Sequence, residues 1–416
     1  MFPPATWPRP IAVLSRVFAR QGLALILLAG TAMAQTALEP DQGGVDFKIQ
    51  GEYSGKVETV TPMGAQVIAQ GSGQFKAVFF PGGLPGQGWN GTGRIEATGT
   101  LQNGVATFSG GGYSATIGED GTLLNGKTDK AELFSFNKIM RASPTEGAPA
   151  PAGAIVLFDG AGVSAWKDGT ATMDARKLFK PEGATATDGA VSKQAFQDFT
   201  LHLEFREPFM PAERGTKRGN SGIYLQGRYE LQVLDSFGSN LATGADTMAP
   251  KRECGAIWEH FGPALNMSFP PLSWQTYDIA FTAARFDASG MRTSPAIVTA
   301  RWNGQTIQDA RGMLNHTLAG DLEGAAAGPL RFQGYGDPVY YRNIWVTEGA
   351  SSVRPPVRSL RQRQGRLDAQ SVRLATMDGR KLGTVKESRP ACGHYLYSGP
   401  QGGGEITYSR GAIHEF

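Results

Sequence analysis

Cysteine and histidine are scarce in this sequence. Its 416 residues include two cysteines, Cys254 and Cys392, and five histidines. Two cysteines cannot build a disulfide framework, and their spacing neither supports nor excludes a single bond between them. No Cys/His spacing resembles a zinc site. The sequence therefore excludes a disulfide-rich module and contains no zinc motif.

A strong excess of charge is also missing. The formal net charge is +3, and the first 34 residues contribute three arginines and no acid. Residues 351–416 carry 11 Lys/Arg against 5 Asp/Glu, which leaves residues 35–350 at about −6. A body with this charge has no broad basic surface, so we expect no binding to nucleic acid.

Long hydrophobic runs are absent after residue 34. Before it, three arginines precede an apolar run at 23–29 and a small-x-small tripeptide that ends at Ala34. This pattern is typical of a secretory signal peptide, and the run is too short to span a bilayer. We expect residues 1–34 to be removed and the mature chain to begin at Gln35, in the periplasm or outside the cell, without a transmembrane helix.

Long amphipathic helices are missing as well. Fifty-six glycines separate runs rich in Val, Ile, Thr, Phe and Tyr, which is typical of turn-rich β structure. We predict a small antiparallel β module of unknown role at 45–141, a Pro/Ala/Gly linker at 142–153 and a larger β domain at 154–348. The strand spacing of the larger domain fits a two-sheet jelly-roll sandwich. The basic segment 351–416 is expected to be a disordered tail that could contact an anionic cell surface.

Residues 219–235 form the segment with the most informative side-chain pattern. It reads as two alternating strands joined at Gly227. Since strand side chains point to opposite faces in turn, Arg228, Glu230 and Gln232 share one face, and the apolar residues between them share the other. Such a polar row is suited to gripping a polyhydroxylated ligand. The alternative is a solvated face with an Arg/Glu ion pair.

Seven motifs occur in order across residues 154–348. They are Phe158-Asp159-Gly160 with Trp166-Lys167, Phe196–Leu201, Gly219–Tyr224, Tyr229–Asp235, Cys254–Ile257, Pro271–Ile279 and Tyr341–Val346. Together they resemble the 3-keto-disaccharide hydrolase domain family. The sequence departs from that family at Phe332–Gly336, where relatives often carry Leu-Gln-Asp-His-Gly. The resemblance implies an all-β fold with a concanavalin A-like sandwich, an exported bacterial protein, and cleavage of an oligosaccharide or glycoside oxidised at C3.

The chemistry implied by the resemblance sets requirements for a site. A ketone at C3 acidifies the hydrogen at C2, so a base can remove it, and the group on C1 then leaves. The site needs a base, a positive group or a metal ion at the developing oxyanion, and an aromatic wall for the sugar. No cofactor is certain, although a divalent cation could take part.

Four residues are candidates for catalysis. Glu230 lies mid-strand on the polar face and is the first candidate for the base, and Asp235 is the second. Arg228 could stabilise an enolate or form an ion pair, while His260 could act as acid, base or metal ligand, or be a surface-loop histidine. Arg342 could hold the ligand or lock the sheet through an ion pair. The candidates for substrate binding are Asn220, Tyr224, Gln232, Gln333 and Arg342.

Two alternatives to an enzyme remain open from the sequence. The same sandwich could bind glycans without chemistry, as a carbohydrate-binding module. The two β modules and the basic tail would also suit a structural or adhesive protein of the cell surface. Turnover of a 3-keto-glycoside distinguishes the enzyme from both.

Overall fold

The computed structural model describes residues 36–239 and 250–349, together with the backbone of five strands between residues 373 and 415. The predicted signal peptide lies outside these residues. Contacts divide the chain into two units, Met1–Val353 and Arg354–Phe416. No helix in the described part of the chain is long and apolar enough to cross a membrane.

The first module is an eight-stranded antiparallel barrel preceded by a short helix, α1 (Gly44–Ile49). Period-2 alternation fills its interior, since Ala106 and Phe108 are buried while the alternate residues Val105 and Thr107 are exposed. Consecutive strands pair, and the last pairs with the first. The strands are β1 (Gly51–Val57), β2 (Thr61–Gly71), β3 (Gln74–Pro81), β4 (Ile95–Gln102), β5 (Val105–Gly110), β6 (Tyr113–Gly118), β7 (Leu123–Thr128) and β8 (Leu133–Ile139).

The barrel confirms the predicted small antiparallel module but differs from it in detail. The first residues of the predicted module, including Val45, lie in the helix α1 and not in a strand. Closure into a barrel was not predicted, because the pairing of β1 with β8 joins residues far apart in the sequence.

A large antiparallel sheet forms one layer of the second module. Its order is β10-β11-β22-β13-β16-β19-β20, with β9 beside β22. A separate two-stranded hairpin consists of β17 (Arg285–Phe286) and β18 (Arg292–Ser294). The strands of the large sheet are β9 (Ile155–Phe158), β10 (Ala171–Met173), β11 (Phe179–Pro181), β13 (Phe199–Arg206), β16 (Gln275–Thr282), β19 (Ile297–Trp302), β20 (Gln305–Gly312) and β22 (Tyr340–Glu348).

A four-stranded sheet forms the other layer, in the order β12-β21-β14-β15. Phe332 of this sheet packs on Tyr341 of the large sheet with ring centroids 5.1 Å apart, and Tyr229 packs on Phe281 at 5.7 Å. The predicted all-β sandwich is confirmed by this packing. The strands of the small sheet are β12 (Ala184–Phe196), β14 (Ser221–Leu225), β15 (Tyr229–Val233) and β21 (Gly328–Tyr335).

The predicted linker at 142–153 has no regular structure, yet it is hydrogen-bonded to the outer face of the large sheet. Ser143 Oγ lies 2.6 Å from Thr276 Oγ1. Further along, Asn343 Nδ2 donates to the carbonyl of Ala148 at 2.9 Å. The segment therefore packs on the sandwich instead of acting as a free spacer.

In the unit 354–416, where the sequence predicts a basic, disordered tail, the structure describes a five-stranded antiparallel sheet. The order is β24-β23-β25-β26-β27. The arginines that suggested disorder are concentrated at 354–366, before the first of these strands. The strands are β23 (Arg373–Thr376), β24 (Lys381–Thr384), β25 (Gly393–Gly399), β26 (Gly402–Ser409) and β27 (Ala412–Glu415).

Candidate functional site

The predicted ribbon forms as the hairpin β14–β15. Gln226 and Gly227 at its turn both adopt positive φ, 54° and 68°, which explains the glycine at the second position. Tyr224 is the direct cross-strand partner of Glu230. The apolar residues of β15 belong to the sandwich core, so the polar row lies on the other face of the small sheet.

Glu230 is the centre of this polar face and is only 4% exposed. The Tyr224 hydroxyl donates to its Oε2 at 2.9 Å, and the Glu230 backbone N–H donates to Thr317 Oγ1 at 2.9 Å. A Cβ at Gly222 would lie 2.3 Å from Glu230 Oε1, so a glycine there leaves room for the carboxyl group. Burial raises the pKa of Glu230 to about 7, although the Tyr224 hydrogen bond and the charge of Arg331 oppose the rise. Such a carboxyl can exchange a proton near neutral pH.

The cation beside this carboxyl group is Arg331, which the sequence analysis did not single out. Its guanidinium carbon lies 3.9 Å from the centroid of the Tyr224 ring, and its charge lowers the pKa of Glu230. Nη1 donates to the Thr187 carbonyl at 3.0 Å, so β12 helps to position it. The signal was available: Arg331 is two residues before Gln333 on β21 and therefore shares its face.

Arg228 shares the polar face but uses its side chain elsewhere. Nε donates to the Leu322 carbonyl at 3.1 Å and Nη2 to the Ala326 carbonyl at 3.1 Å. Nη1 donates to Gln226 Oε1 at 2.8 Å. Arg228 thus fastens the loop after β20 to the sheet. The alternative of an Arg228–Glu230 ion pair is not found among the described residues.

Two glutamines and an asparagine complete the polar face. Gln232 Nε2 donates to Asn220 Oδ1 at 3.3 Å, and Gln333 Nε2 donates to the Tyr224 hydroxyl oxygen at 3.4 Å. In the described part of the chain, Gln232 Oε1, Gln333 Oε1 and Arg331 Nε are buried and have no hydrogen-bond partner. Buried polar atoms are normally paired, so these two acceptors and one donor are the unsatisfied hydrogen-bonding groups of this face.

Two of the predicted catalytic residues have other surroundings. Asp235 Oδ2 accepts from Arg218 Nε at 2.6 Å in a buried ion pair, which gives it a structural partner. His260 is half-buried in a loop, and burial together with the charge of Lys251 lowers its pKa. No hydrogen bond within the described ranges joins either residue to Glu230.

Arg342 lies on the opposite side of the sandwich, on the outer face of the large sheet. It donates to Glu204 at 2.6 Å and to Glu146 at 2.8 Å. Its guanidinium also lies 4.0 Å from the centroid of a Trp274 ring. Of the two roles considered from the sequence, the ion pair that locks the sheet is the one these contacts match.

The structure also bears on metals and cysteines. Within residues 36–239 and 250–349, no group of three His, Cys, Asp or Glu residues is arranged to hold a metal ion. Cys254 is free and buried, with Sγ 3.1 Å from the Tyr277 hydroxyl. Cys392 lies outside the described residues.

Glu230 is expected to make the stability of the fold depend on pH. Its pKa is raised from 4.5 to about 7. Between these two pH values, the folded chain therefore keeps a proton on Glu230 that the unfolded chain has already released. The stability that this carboxyl contributes is fully present below its unfolded pKa and is lost as the pH rises through about 7. Glu230→Gln should therefore match the wild type near pH 4 and exceed its free energy of unfolding by about 3 kcal/mol above pH 7. Urea denaturation across this range checks the difference, and parallel curves would contradict it.

Comparisons with known proteins found a matching family model and similar solved structures. Residues 153–347 match the model of a family described as 3-keto-alpha-glucoside-1,2-lyase-like domain. Two crystal structures of provisionally assigned glycosyl hydrolases from Parabacteroides distasonis also match. One has 32% identity, covers 48% of this chain and 85% of that chain, and gives a TM-score of 0.42. The other is 17% identical to this chain. The match covers 50% of this chain and 98% of that chain, with a TM-score of 0.35. The search of curated proteins found no match.

Proposed function

The chain belongs to the 3-keto-alpha-glucoside-1,2-lyase-like domain family, and on that premise we propose that it is an exported enzyme that cleaves 3-keto-glycosides. The observation that carries the proposal is the buried Glu230 carboxyl, with its pKa near 7, beside the Arg331 guanidinium. Export is supported by the leader pattern of residues 1–34.

The first step is removal of the C2 hydrogen. The Glu230 carboxylate takes the proton, and the electron pair of the C2–H bond forms an enolate with the C3 ketone. A base with a pKa near the working pH combines a useful ionised fraction with a useful basicity. Arg331 supplies positive charge on the same face, where it can stabilise the developing oxyanion.

The second step breaks the bond from C1 to the glycosidic oxygen. The enolate electrons return to form the C1–C2 double bond, and the leaving alkoxide takes a proton from Glu230 or from water. The products are an alcohol and a 3-keto-2-hydroxy-glucal. Addition of water, with OH to C1 and H to C2, then gives the 3-keto sugar.

Binding is assigned to the amides of the polar face. The unpartnered oxygens of Gln232 and Gln333 can accept hydrogen bonds from sugar hydroxyl groups, and Asn220 fixes the orientation of Gln232. Tyr224 holds Glu230 through its hydroxyl group. The amide oxygens are already removed from water, so a sugar hydroxyl that reaches them gains a hydrogen bond without displacing water from the protein atom.

The test is incubation of the protein, recovered from the periplasm or medium of its host, with a 3-keto-glucoside. We expect an absorbing enone, released alcohol and, after hydration, 3-keto-glucose. The unoxidised glucoside should remain intact, because without the ketone its C2 hydrogen is not acidic. Sugar binding without turnover would favour the non-catalytic module, and equal cleavage of both glucosides would contradict the elimination route.

A further inference from the structure

A cavity of about 500 Å³ lies where the barrel meets the sandwich. Trp89, Phe80 and Gln66 line it from the barrel, and Leu265 and Asn266 line it from the sandwich. Ligand pockets typically have volumes of about 300–1,000 Å³ and often lie at domain interfaces. The barrel strands lie outside the family match at 153–347, so the family assignment does not account for this cavity.

The walls of the cavity are held together by contacts between the two modules. Phe237 of the sandwich joins a buried cluster with the barrel residues Ile68, Val78, Phe80 and Leu84. Across the same boundary, the Arg141 guanidinium lies 4.8 Å from the Phe269 ring centroid. The junction is therefore a packed interface, and the cavity within it is preformed.

The orientation of the main aromatic side chain of the cavity is fixed. Trp89 packs edge-on against Phe80 with ring centroids 5.0 Å apart. Its Nε1 donates to the Thr92 carbonyl at 2.6 Å. An indole that is held at two sides loses little conformational entropy when a ligand packs on it.

Among its described lining residues, the cavity presents no charge that is available to an ion. Arg94 is the charged residue among its described lining residues, and its guanidinium donates to the Ser239 carbonyl at 2.9 Å, to the Gly238 carbonyl and to Glu96. Apart from Arg94, the lining consists of aromatic, proline and aliphatic residues, glycines, and the polar side chains of Gln66, Ser239 and Asn266. These walls suit a neutral ligand with both apolar and hydrogen-bonding surface.

We propose that this cavity is a second, non-catalytic site that binds a neutral saccharide. A sugar ring has apolar C–H faces that can pack on the Trp89 indole, and its hydroxyl groups can donate to the amide oxygens of Gln66 and Asn266. The amide nitrogens of these two residues already donate to Glu52 Oε1 and to the Ser236 and Ser239 carbonyls. The site is separate from the polar face around Glu230. It does not depend on the reaction proposed there.

The test is isothermal titration of the full chain with maltotetraose, cellotetraose, xylotetraose and laminaritetraose, in the wild type and in Glu230→Gln. We expect saturable binding of at least one saccharide with equal affinity in both proteins, because the cavity is not the catalytic site. Trp89→Ala should weaken that binding at least about tenfold. The matched control is Trp274→Ala, which removes a half-buried indole from the outer face of the large sheet and should leave the affinity unchanged.

A second variant blocks the cavity without removing Trp89, so the test still works if Trp89→Ala does not fold. Ala264→Phe adds a ring to the cavity lining and should block binding while the melting temperature stays close to that of the wild type. The proposal is overturned if no tetrasaccharide binds at millimolar concentration, or if Trp89→Ala and Ala264→Phe bind as the wild type does. Loss of binding in Glu230→Gln would assign the saccharide to the polar face instead. Turnover of a 3-keto-glucoside by Trp89→Ala reports on the proposed reaction independently.

Discussion

Replacing Glu230 with glutamine is expected to lower kcat on a 3-keto-glucoside by about 10²–10⁴-fold, the usual contribution of a general base. The amide cannot take the C2 proton. Its oxygen can still accept the Tyr224 hydroxyl hydrogen bond that Glu230 Oε2 accepts at 2.9 Å, so the side chain should keep its place. The measurement is the rate of enone formation at saturating substrate, together with thermal unfolding to confirm the native fold.

The matched control for this variant is Glu348→Gln. Glu348 lies at the end of β22 on the other sheet, where Gln194 donates to it at 3.1 Å. The same carboxyl-to-amide change there should leave kcat unaltered. A folded Glu230→Gln protein that works at the wild-type rate would remove Glu230 from the mechanism.

Replacing Asp235 with asparagine is expected to cost about 3–5 kcal/mol of folding stability, because it leaves a buried charge without its partner. The side chains of Arg218 and Asp235 are 8% and 1% exposed, and Nε lies 2.6 Å from Oδ2. An asparagine oxygen can accept the hydrogen bond but cannot neutralise the guanidinium. Urea denaturation of wild type and variant measures the loss.

The exposed pair Arg176–Asp174 provides the comparison for Asp235. Its side chains are 33% and 26% exposed, so Asp174→Asn should change the free energy of unfolding by less than about 1 kcal/mol. The folded fraction of Asp235→Asn should turn over substrate nearly as the wild type does. An unchanged stability with lost turnover would instead return Asp235 to the catalytic site.

The sequence predicted the parts of the site that depend on local alternation. A strand side chain must point to one face or the other, so the pattern around Gly227 was enough to place Glu230 and Gln232 together and to put Tyr224 across from them. The turn itself was predictable because a two-strand ribbon of this length requires positive φ at its tip, which glycine adopts readily. The same reasoning predicted β structure at 45–141 and at 154–348.

Which cation would lie beside Glu230 could not be predicted from this alternation. Arg228 is two residues from Glu230 in the chain, yet its guanidinium is hydrogen-bonded to carbonyl groups of a loop. The cation beside Glu230 is Arg331, which lies on β21, about a hundred residues later in the sequence. The sheet order β12-β21-β14-β15 brings these strands together, and it follows from long-range packing.

The sequence by itself determined that this protein is built from β strands and which side chains of each ribbon share a face. The tertiary structure alone decided that Asp235 forms an ion pair with Arg218 and that Arg342 lies on the opposite sheet. It also decided that the barrel packs on the sandwich around a cavity. The physical reason is the separation, along the sequence, of the residues that interact. Alternation is imposed by the geometry of neighbouring peptide units, while partners and cavities depend on how distant segments exclude water from one another.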